Sequence, residues 1–396
     1  MAEPLPRIKP ANSHHVTPSL LRITDNYSNR NPGQLRGNNA GWGFQLMVRR
    51  FVVHVGAPKT GTSAFQEWAV ANRAALLEAG YLYPVSGATP GGNHAALVGA
   101  LSGALEDAAR AAHVVRLFER EINEHPDVAV ILSAETMATL RFLPNMTRLR
   151  RRLRNYAEKA TVVLVVRDQL AWRNSGYAQA RQMLAPLPRF RDYCAIGPAG
   201  PRGGNWDFLE QRYRKAGFQF ETLAFDRSTR DAGIVTAMSS LICLDGLASA
   251  ASTDRAETNA SVNDLALLVH DEVRRLVAGQ DGAPHPLTRL KLMPIIAKHT
   301  AHLTGASFNG YDQALADEMR SVYRDSNDAF ARRHFGRNWE QIFPPAPVTY
   351  VSSDTVNDLN PRGRRQVATA AARVLMDAVE ADILHILPVQ GESLGA

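Results

Sequence analysis

Four short apolar runs divide the chain, and each is followed by a turn and a helical pattern. The runs cover residues 51–55, 127–133, 161–166 and 218–225. Runs that are apolar at consecutive positions are typical of strands buried on both faces of a parallel sheet. Strands that alternate with helices indicate an α/β fold, here a parallel sheet flanked by helices on both faces.

The segments between and after these runs carry apolar residues at helical spacing. They predict a helix from Thr62 to a stop at Gly80, and further helices over 146–160, over 312–336 and from about Pro361. Arginines are frequent in the second of these helices, and a charge run of this kind usually lies on a solvated face. We therefore expect those arginines to be exposed.

The chain divides into three predicted parts. Residues 1–46 are rich in Pro, Asn, Ser, Gly and Arg and lack periodicity, so we expect a disordered N-terminal extension. Met47 lies just before the first run and is a candidate translation start. Residues 47–345 form one predicted α/β domain, and residues 346–396 form a linker and a C-terminal helix.

Composition narrows the classes of partner. The 396 residues carry a formal net charge of +7, which favours an anionic partner. Nucleic acid is not expected, because zinc-finger spacing and aromatic-interleaved basic motifs are missing. Cys194 and Cys243 have no Cys or His at metal-binding spacing, so a zinc site is not expected. No apolar run approaches the length of a membrane span and no signal core is present, so we expect a cytoplasmic enzyme without a transmembrane segment.

The loop after the first run, GAPKTGTS, combines features that bind anions. Gly56 and Gly61 let backbone N–H groups approach a ligand, the following helix contributes a partial positive charge, and Lys59 adds a full one. Hydroxyl groups flank the lysine at Thr60, Thr62 and Ser63. The loop therefore predicts a phosphate or sulfate site. Its register differs from the nucleoside-triphosphate loop GxxxxGK[ST], because Thr62 rather than a lysine follows the second glycine.

Polar residues follow the next two runs at the predicted carboxyl ends of the strands, where ligands bind in open α/β sheets. Glu135 follows the second run and is a candidate for proton transfer, the alternative being that it caps the next helix or pairs with a surface arginine. Arg167 ends the third run, and Ser175 follows in the next helix, so both can reach one phosphate. His94, after a glycine pair, is either a second candidate base or substrate contact, or a solvated residue at a helix start.

The sequence PKTGTS resembles PK[ST]GT[ST], the 5′-phosphosulfate loop of sulfotransferases that use 3′-phosphoadenosine 5′-phosphosulfate (PAPS). The strand-end Arg167 with Ser175 resembles the 3′-phosphate site of the same family, and the resemblance covers residues 51–343. It implies a P-loop nucleotide-kinase-like fold and metal-independent transfer of a sulfuryl group from PAPS to a hydroxyl or amine. It also implies the following roles: Lys59, Thr60, Gly61, Thr62 and Ser63 hold the phosphosulfate, Arg167 and Ser175 hold the 3′-phosphate, Lys59 also acts in catalysis, and Glu135 or His94 is the base.

Two other functions stay open at this point: a small-molecule or sugar kinase that uses ATP and Mg²⁺ on the same fold, and a non-catalytic nucleotide-binding protein. The acceptor is a small molecule or a glycan whose pocket is expected from residues 89–94 and 184–204. Asn259, Ser261 and Asp264 match either a helix capping box or an Asn-x-Ser element that closes over the nucleotide. The oligomeric state is not predicted.

Overall fold

A five-stranded parallel sheet lies at the centre of the structure, a computed structural model that describes residues 48–195, 203–244, 247, 263–278 and 282–384. The strands are β1 Arg50–His54, β2 Tyr81–Leu82, β3 Ala129–Ser133, β4 Ala160–Val166 and β5 Gln219–Ala224. Their order across the sheet is β2-β3-β1-β4-β5, and every neighbouring pair is parallel. The expected α/β class with a helix-flanked parallel sheet is confirmed.

Helices connect the strands and cover both faces of the sheet. They are α1 Thr62–Ala71, α2 Arg73–Glu78, α3 Ala95–Ser102, α4 Ala108–Glu124, α5 Met146–Leu153, α6 Gln169–Gln182, α7 Phe190–Ala195, α8 Trp206–Lys215, α9 Arg227–Ala232, α10 Ile234–Leu241, α11 Asp264–Ala278, α12 Pro286–Thr300, α13 Gln313–Phe335, α14 Trp339–Ile342 and α15 Pro361–Glu380. Short 3₁₀ turns occur at Glu135–Ala138, Leu140–Asn145 and Val356–Asp358. The predicted extension 1–46, together with Asn259 and Ser261, lies outside the described residues.

The sheet is buried on both faces, as the apolar runs predict. Every residue of β1, β3 and β4 is buried, and alternate side chains of a strand point to opposite faces. Phe51 packs in a cluster with Phe118 of α4, whereas its neighbour Val52 packs in a second cluster with Phe65 of α1. Each face of β1 therefore has its own hydrophobic core.

Two predicted helices differ from those in the structure. The helix expected up to Gly80 is broken at Asn72, whose backbone leaves helical geometry with φ −112° and ψ 23°. The Asn72 side chain and backbone N–H both donate to the carbonyl of Trp68. The helix expected over 146–160 ends at Leu153. Its arginines were expected in solvent, but Arg150 is buried, because its guanidinium donates to backbone carbonyls beyond the helix.

The C-terminal helix α15 packs against α11 and α12. Val367 and Val374 share a hydrophobic cluster with Leu268 of α11 and Leu292 of α12. At the helix surface, Asp377 accepts a hydrogen bond from Lys298 of α12 at 2.7 Å. Helix α15 is thus part of the same helical layer as α11 and α12.

A buried acid joins α8 to α13. The Glu210 side chain is 1% exposed and accepts hydrogen bonds from Arg214 and Arg333, both at 2.6 Å, and from His334 at 2.8 Å. Burial alone would raise the pKa of Glu210, but the bonds from His334 and Arg214 and the charge of Arg333 outweigh it and lower the pKa to about 2.

The chain direction creates a crevice at the carboxyl ends of β1 and β4. After β1 the chain turns to β2 at one edge of the sheet, and after β4 it continues to β5 at the other edge. Such a switch point between two strands is where open α/β sheets bind ligands. The loops that follow β1, β3 and β4 all open at this end.

Candidate functional site

The loop after β1 is held against β4 before it turns. The backbone N–H of Ala57 donates to Val165 at 2.9 Å, and that of Val165 donates to Gly56 at 2.7 Å. The Thr60 hydroxyl then closes the loop by donating to the Ala57 carbonyl at 2.6 Å. The loop is therefore an ordered extension of the sheet.

The loop ends at the N-terminus of α1 in left-handed backbone. Lys59 has φ 66° and Gly61, the N-cap of α1, has φ 73°. Glycine provides no side chain to cap the helix, so the first N–H groups of α1, at Thr62 and Ser63, are oriented for an external acceptor. The half-buried Lys59 adds a positive charge beside them.

Glycine at position 56 brings the loop onto the end of β3. Gly56 has φ 92°, and a Cβ atom there would lie 3.3 Å from the Cα of Glu135. A larger residue would therefore push apart the lysine loop and the segment that carries the acid. The close approach of the loop to the Glu135 segment requires glycine at position 56, because glycine has no Cβ atom and readily adopts a positive φ.

Glu135 faces the start of α1. The Thr62 hydroxyl donates to Oε1 of Glu135 at 2.9 Å. Burial raises the pKa of Glu135, and the Thr62 hydrogen bond and the charge of Lys59 oppose that rise. The pKa of Lys59 is lowered by burial and by Arg167, while Glu135 opposes the decrease. The acid, the lysine and the arginine thus interact electrostatically in one site.

Arg167 contacts the lysine loop directly. Its Nη1 donates to the carbonyl oxygen of Lys59 at 2.7 Å, and its Cζ lies 6.0 Å from the ring centroid of Phe225. The Trp206 indole donates to the Arg167 carbonyl at 3.1 Å. Burial and the nearby charge of Arg230 lower the pKa of Arg167, although it remains a permanent cation. The loop carbonyl accepts from one of the five N–H donors of the guanidinium, and no other side-chain hydrogen bond of Arg167 is made within the described residues, which leaves the remaining donors for a ligand.

A cavity of about 1040 Å³ opens beside Arg167, between α6, α9, α13 and the segment 338–350. Ligand pockets typically enclose about 300–1,000 Å³, so this cavity is large enough for a nucleotide. Four further arginines line it: Arg227, Arg230, Arg320 and Arg324. Among the described residues no cluster of three or more His, Cys, Asp and Glu side chains is arranged to hold a metal ion. None of the described helices has the length and apolar character needed to cross a membrane.

The remaining residues expected at the site have different surroundings. Thr60 is buried and its hydroxyl is used inside the loop, whereas Ser63 is exposed on the first turn of α1. Ser175 lies half-buried in α6, next to Asn174, which lines the cavity. The structure therefore brings the lysine loop, Glu135 and Arg167 into direct contact. Ser175 itself does not line the cavity, but it follows Asn174, which does.

His94 lies beside Ser133, the last residue of β3, and is fully buried. Its Nδ1 accepts a hydrogen bond from the backbone N–H of Ser133 at 3.1 Å, so Nε2 carries the proton and donates to the Pro84 carbonyl at 2.9 Å. Burial lowers its pKa to about 4. Both nitrogens are thus engaged by the backbone, and the ring is neutral at pH 7.

Sequence reasoning did not identify several residues around the site. Phe225 and Arg230 were not singled out. Phe225 ends the fourth apolar run, so the expectation that ligands bind at the carboxyl ends of strands could have identified it. A buried network was also missed: Gln66 donates to the Ser133 hydroxyl at 2.8 Å, and that hydroxyl lies 2.7 Å from Nδ1 of His54. Polar residues at core positions were the available signal for this network.

Comparison with known proteins adds little. No family model matches the chain, and no curated protein sequence matches it. Among solved structures, the chain is similar to the sulfotransferase domain from the curacin biosynthetic pathway. The similarity covers 82% of this chain and 98% of that domain, with 11% sequence identity and a TM-score of 0.27. Because so low a TM-score does not establish a common fold, a function has to be argued from the site.

Proposed function

We propose that the protein is a PAPS-dependent sulfotransferase with a P-loop nucleotide-kinase-like fold. The single observation that carries this proposal is the 2.7 Å hydrogen bond from Arg167 to the carbonyl of Lys59. It joins the residue expected at the 3′-phosphate to the loop expected at the 5′-phosphosulfate. An adenylate with anionic groups at its 3′ and 5′ positions fits Arg167 and the lysine loop better than a ligand with a single anionic group.

The lysine loop binds the phosphosulfate in this proposal. The N–H groups at the start of α1 and the charge of Lys59 surround its oxygens. In the transfer step, a bond forms between the acceptor oxygen or nitrogen and sulfur, and the bond between sulfur and the 5′-phosphate oxygen breaks. Lys59 stabilises the negative charge that grows on the departing phosphate, and adenosine 3′,5′-bisphosphate leaves.

Glu135 accepts the proton of the acceptor. Its carboxylate adjoins the loop through Thr62, and burial raises its pKa, which makes it a stronger base than an exposed glutamate. His94, the other candidate, already uses both nitrogens in backbone hydrogen bonds. We therefore assign the base to Glu135 and a structural role to His94.

Arg167 binds the 3′-phosphate, with Ser175 as a second contact from α6. The guanidinium has donors left beyond its bond to the loop, and the adjoining cavity has the volume for the adenosine. The acceptor then reaches sulfur from the side of Glu135. Its hydroxyl or amine belongs to a small molecule or a glycan.

Ligand-dependent stability tests this function. A ligand that binds only the folded protein raises its melting temperature. Adenosine 3′,5′-bisphosphate should raise it more than ATP with Mg²⁺ or a DNA duplex. Arg167→Ala should weaken binding of the bisphosphate more than binding of 5′-AMP. A larger effect of ATP with Mg²⁺ would support a kinase instead, and equal losses for both adenylates would contradict the role of Arg167.

Transfer itself is measured with PAPS carrying labelled sulfate, incubated with the protein and an extract of the source cells that contains both small molecules and glycans. Label should move from PAPS to an extract component, and Glu135→Gln should abolish this transfer while nucleotide binding persists. Binding of the bisphosphate without any transfer would instead support the non-catalytic nucleotide-binding protein.

A further inference from the structure

A second arginine opens onto the cavity beside Arg167. Arg230 lies in α9, the helix that follows β5, and β5 is the parallel neighbour of β4. The sheet pairing continues past both strands, since the N–H of Phe225 donates to the Val166 carbonyl at 2.7 Å. Arg167 and the start of the segment that carries Arg230 therefore leave the sheet side by side, and both side chains line the same cavity.

The two cations are poorly compensated by the protein. In the described part of the chain the Arg230 guanidinium has no hydrogen bond or ion pair, and Arg167 donates only to a neutral carbonyl. Three carboxylates close to them in sequence have other partners: Asp168 accepts from the N–H of Ala171, Asp226 accepts from the N–H of Thr229, and Asp231 pairs with Arg227. Burial and then the charge of Arg230 lower the pKa of Arg167, and the charge of Asp168 opposes this decrease without cancelling it.

Two like charges that share a cavity repel each other, and an anion between them removes the repulsion. We infer that Arg230 and Arg167 together bind the 3′-phosphate of the nucleotide, with Arg230 as a residue that selects a terminal phosphate monoester. This inference rests on the proposed function. A phosphate monoester carries close to two negative charges at neutral pH, and two guanidinium forks supply paired donors for its oxygens.

The cavity contains a matched control for this inference. Arg227 belongs to the same helix and lines the same cavity, but its guanidinium is paired with Asp231 at 3.7 Å. Arg227→Ala removes the same charge and side-chain length from the same helix, without removing an unpaired guanidinium. Both positions are exposed, so neither variant should affect folding.

The experiment measures the affinities of the full chain for adenosine 3′,5′-bisphosphate and for 5′-AMP by isothermal titration calorimetry. Arg230→Ala should weaken bisphosphate binding by about 10- to 100-fold, the loss of charge-assisted hydrogen bonds, and 5′-AMP binding by less than about threefold. Arg230→Lys should fall between Arg230→Ala and the wild type, because lysine keeps the charge without the fork. Arg227→Ala should change both affinities by less than about threefold.

Two results would overturn the role of Arg230: an equal loss for both nucleotides, or an equal loss in Arg227→Ala. Arg167→Ala separates this failure from a failure of the proposed function. If Arg167→Ala discriminates between the two nucleotides and Arg230→Ala does not, only the role of Arg230 is wrong. If the wild-type protein binds neither nucleotide, the proposed function is wrong.

Discussion

The hydrogen bond from Thr62 to Glu135 makes the identity of the base testable. Thr62 is buried, and its hydroxyl donates to Oε1 at 2.9 Å. This bond favours the carboxylate and therefore holds the pKa of Glu135 below the value that burial would give it. Thr62→Val keeps the branched shape and removes the donor. The pKa of Glu135 should then rise, and the fraction of enzyme with an ionised base should fall at acidic pH.

The size of the effect follows from the bond that is lost. A hydrogen bond to a charged group contributes about 1.5–3 kcal/mol, and about 1.4 kcal/mol moves a titration by one pH unit. Glu135 is only partly buried, so water recovers some of the loss and the lower end applies. The acidic limb of the kcat/KM profile should therefore move about one pH unit higher in Thr62→Val, with activity nearly unchanged on the alkaline side.

The assay is sulfuryl transfer measured across pH with a fixed acceptor. Thr139→Val is the matched control, because it removes a hydroxyl near Glu135 in sequence that donates to the Thr136 carbonyl and not to the acid. Its acidic limb should stay in place. An unmoved limb in Thr62→Val, with Glu135→Gln still active, would show that another group accepts the proton.

Two further predictions concern the loop and the stability of the fold. Lys59→Ala should lower the rate of transfer by a factor of ~10²–10³ with a smaller loss of nucleotide affinity, because the lysine acts mainly on charge that develops in the transition state. Near-normal turnover of this variant would show that Lys59 has no part in the mechanism. Glu210→Gln should lower the free energy of unfolding at pH 7 by ~3 kcal/mol, the value of a pKa lowered from 4.5 to about 2. The loss of stability should shrink as pH falls from the unfolded pKa of Glu210 towards 2, where the wild-type carboxylate is also protonated. Urea unfolding of both proteins at pH 7 and at pH 3 measures this loss. An equal loss at the two pH values would refute the electrostatic role of Glu210.

The fold could be predicted largely because burial on both faces leaves a continuous apolar signal. Four of the five strands correspond to apolar runs, with boundaries within two residues. The strand Tyr81–Leu82 was missed, because two residues followed by a turn-rich segment give no periodicity. Its pairing with β3 depends on the sheet already being present. The break at Asn72 was missed for a similar reason, since a change of backbone conformation at one residue does not alter the apolar pattern.

The expected positions of Lys59, Glu135 and Arg167 follow from one rule of topology. Parallel strands place their carboxyl ends at one edge, so polar residues just after apolar runs meet there. This rule does not predict which residues on helices, or at their starts, lie near the site. His94 follows a glycine pair and has the sequence context of an exposed residue, yet it is buried beside the carboxyl end of β3. The position of Arg230 depends on where α9 follows β5. Neither position is encoded in local periodicity.

The contact between Arg167 and the lysine loop gives this arginine two effects that have to be separated. Lys59 has left-handed backbone, which costs a non-glycine residue energy and persists only when the surroundings hold it. The Arg167 hydrogen bond to the Lys59 carbonyl is one of the contacts that hold it. Replacing Arg167 therefore disturbs the 5′ end of the nucleotide site as well as the 3′ end, and a loss of activity alone would not distinguish these effects. The comparison of bisphosphate with 5′-AMP does, because a disturbed loop weakens both ligands and a missing 3′-phosphate contact weakens only one.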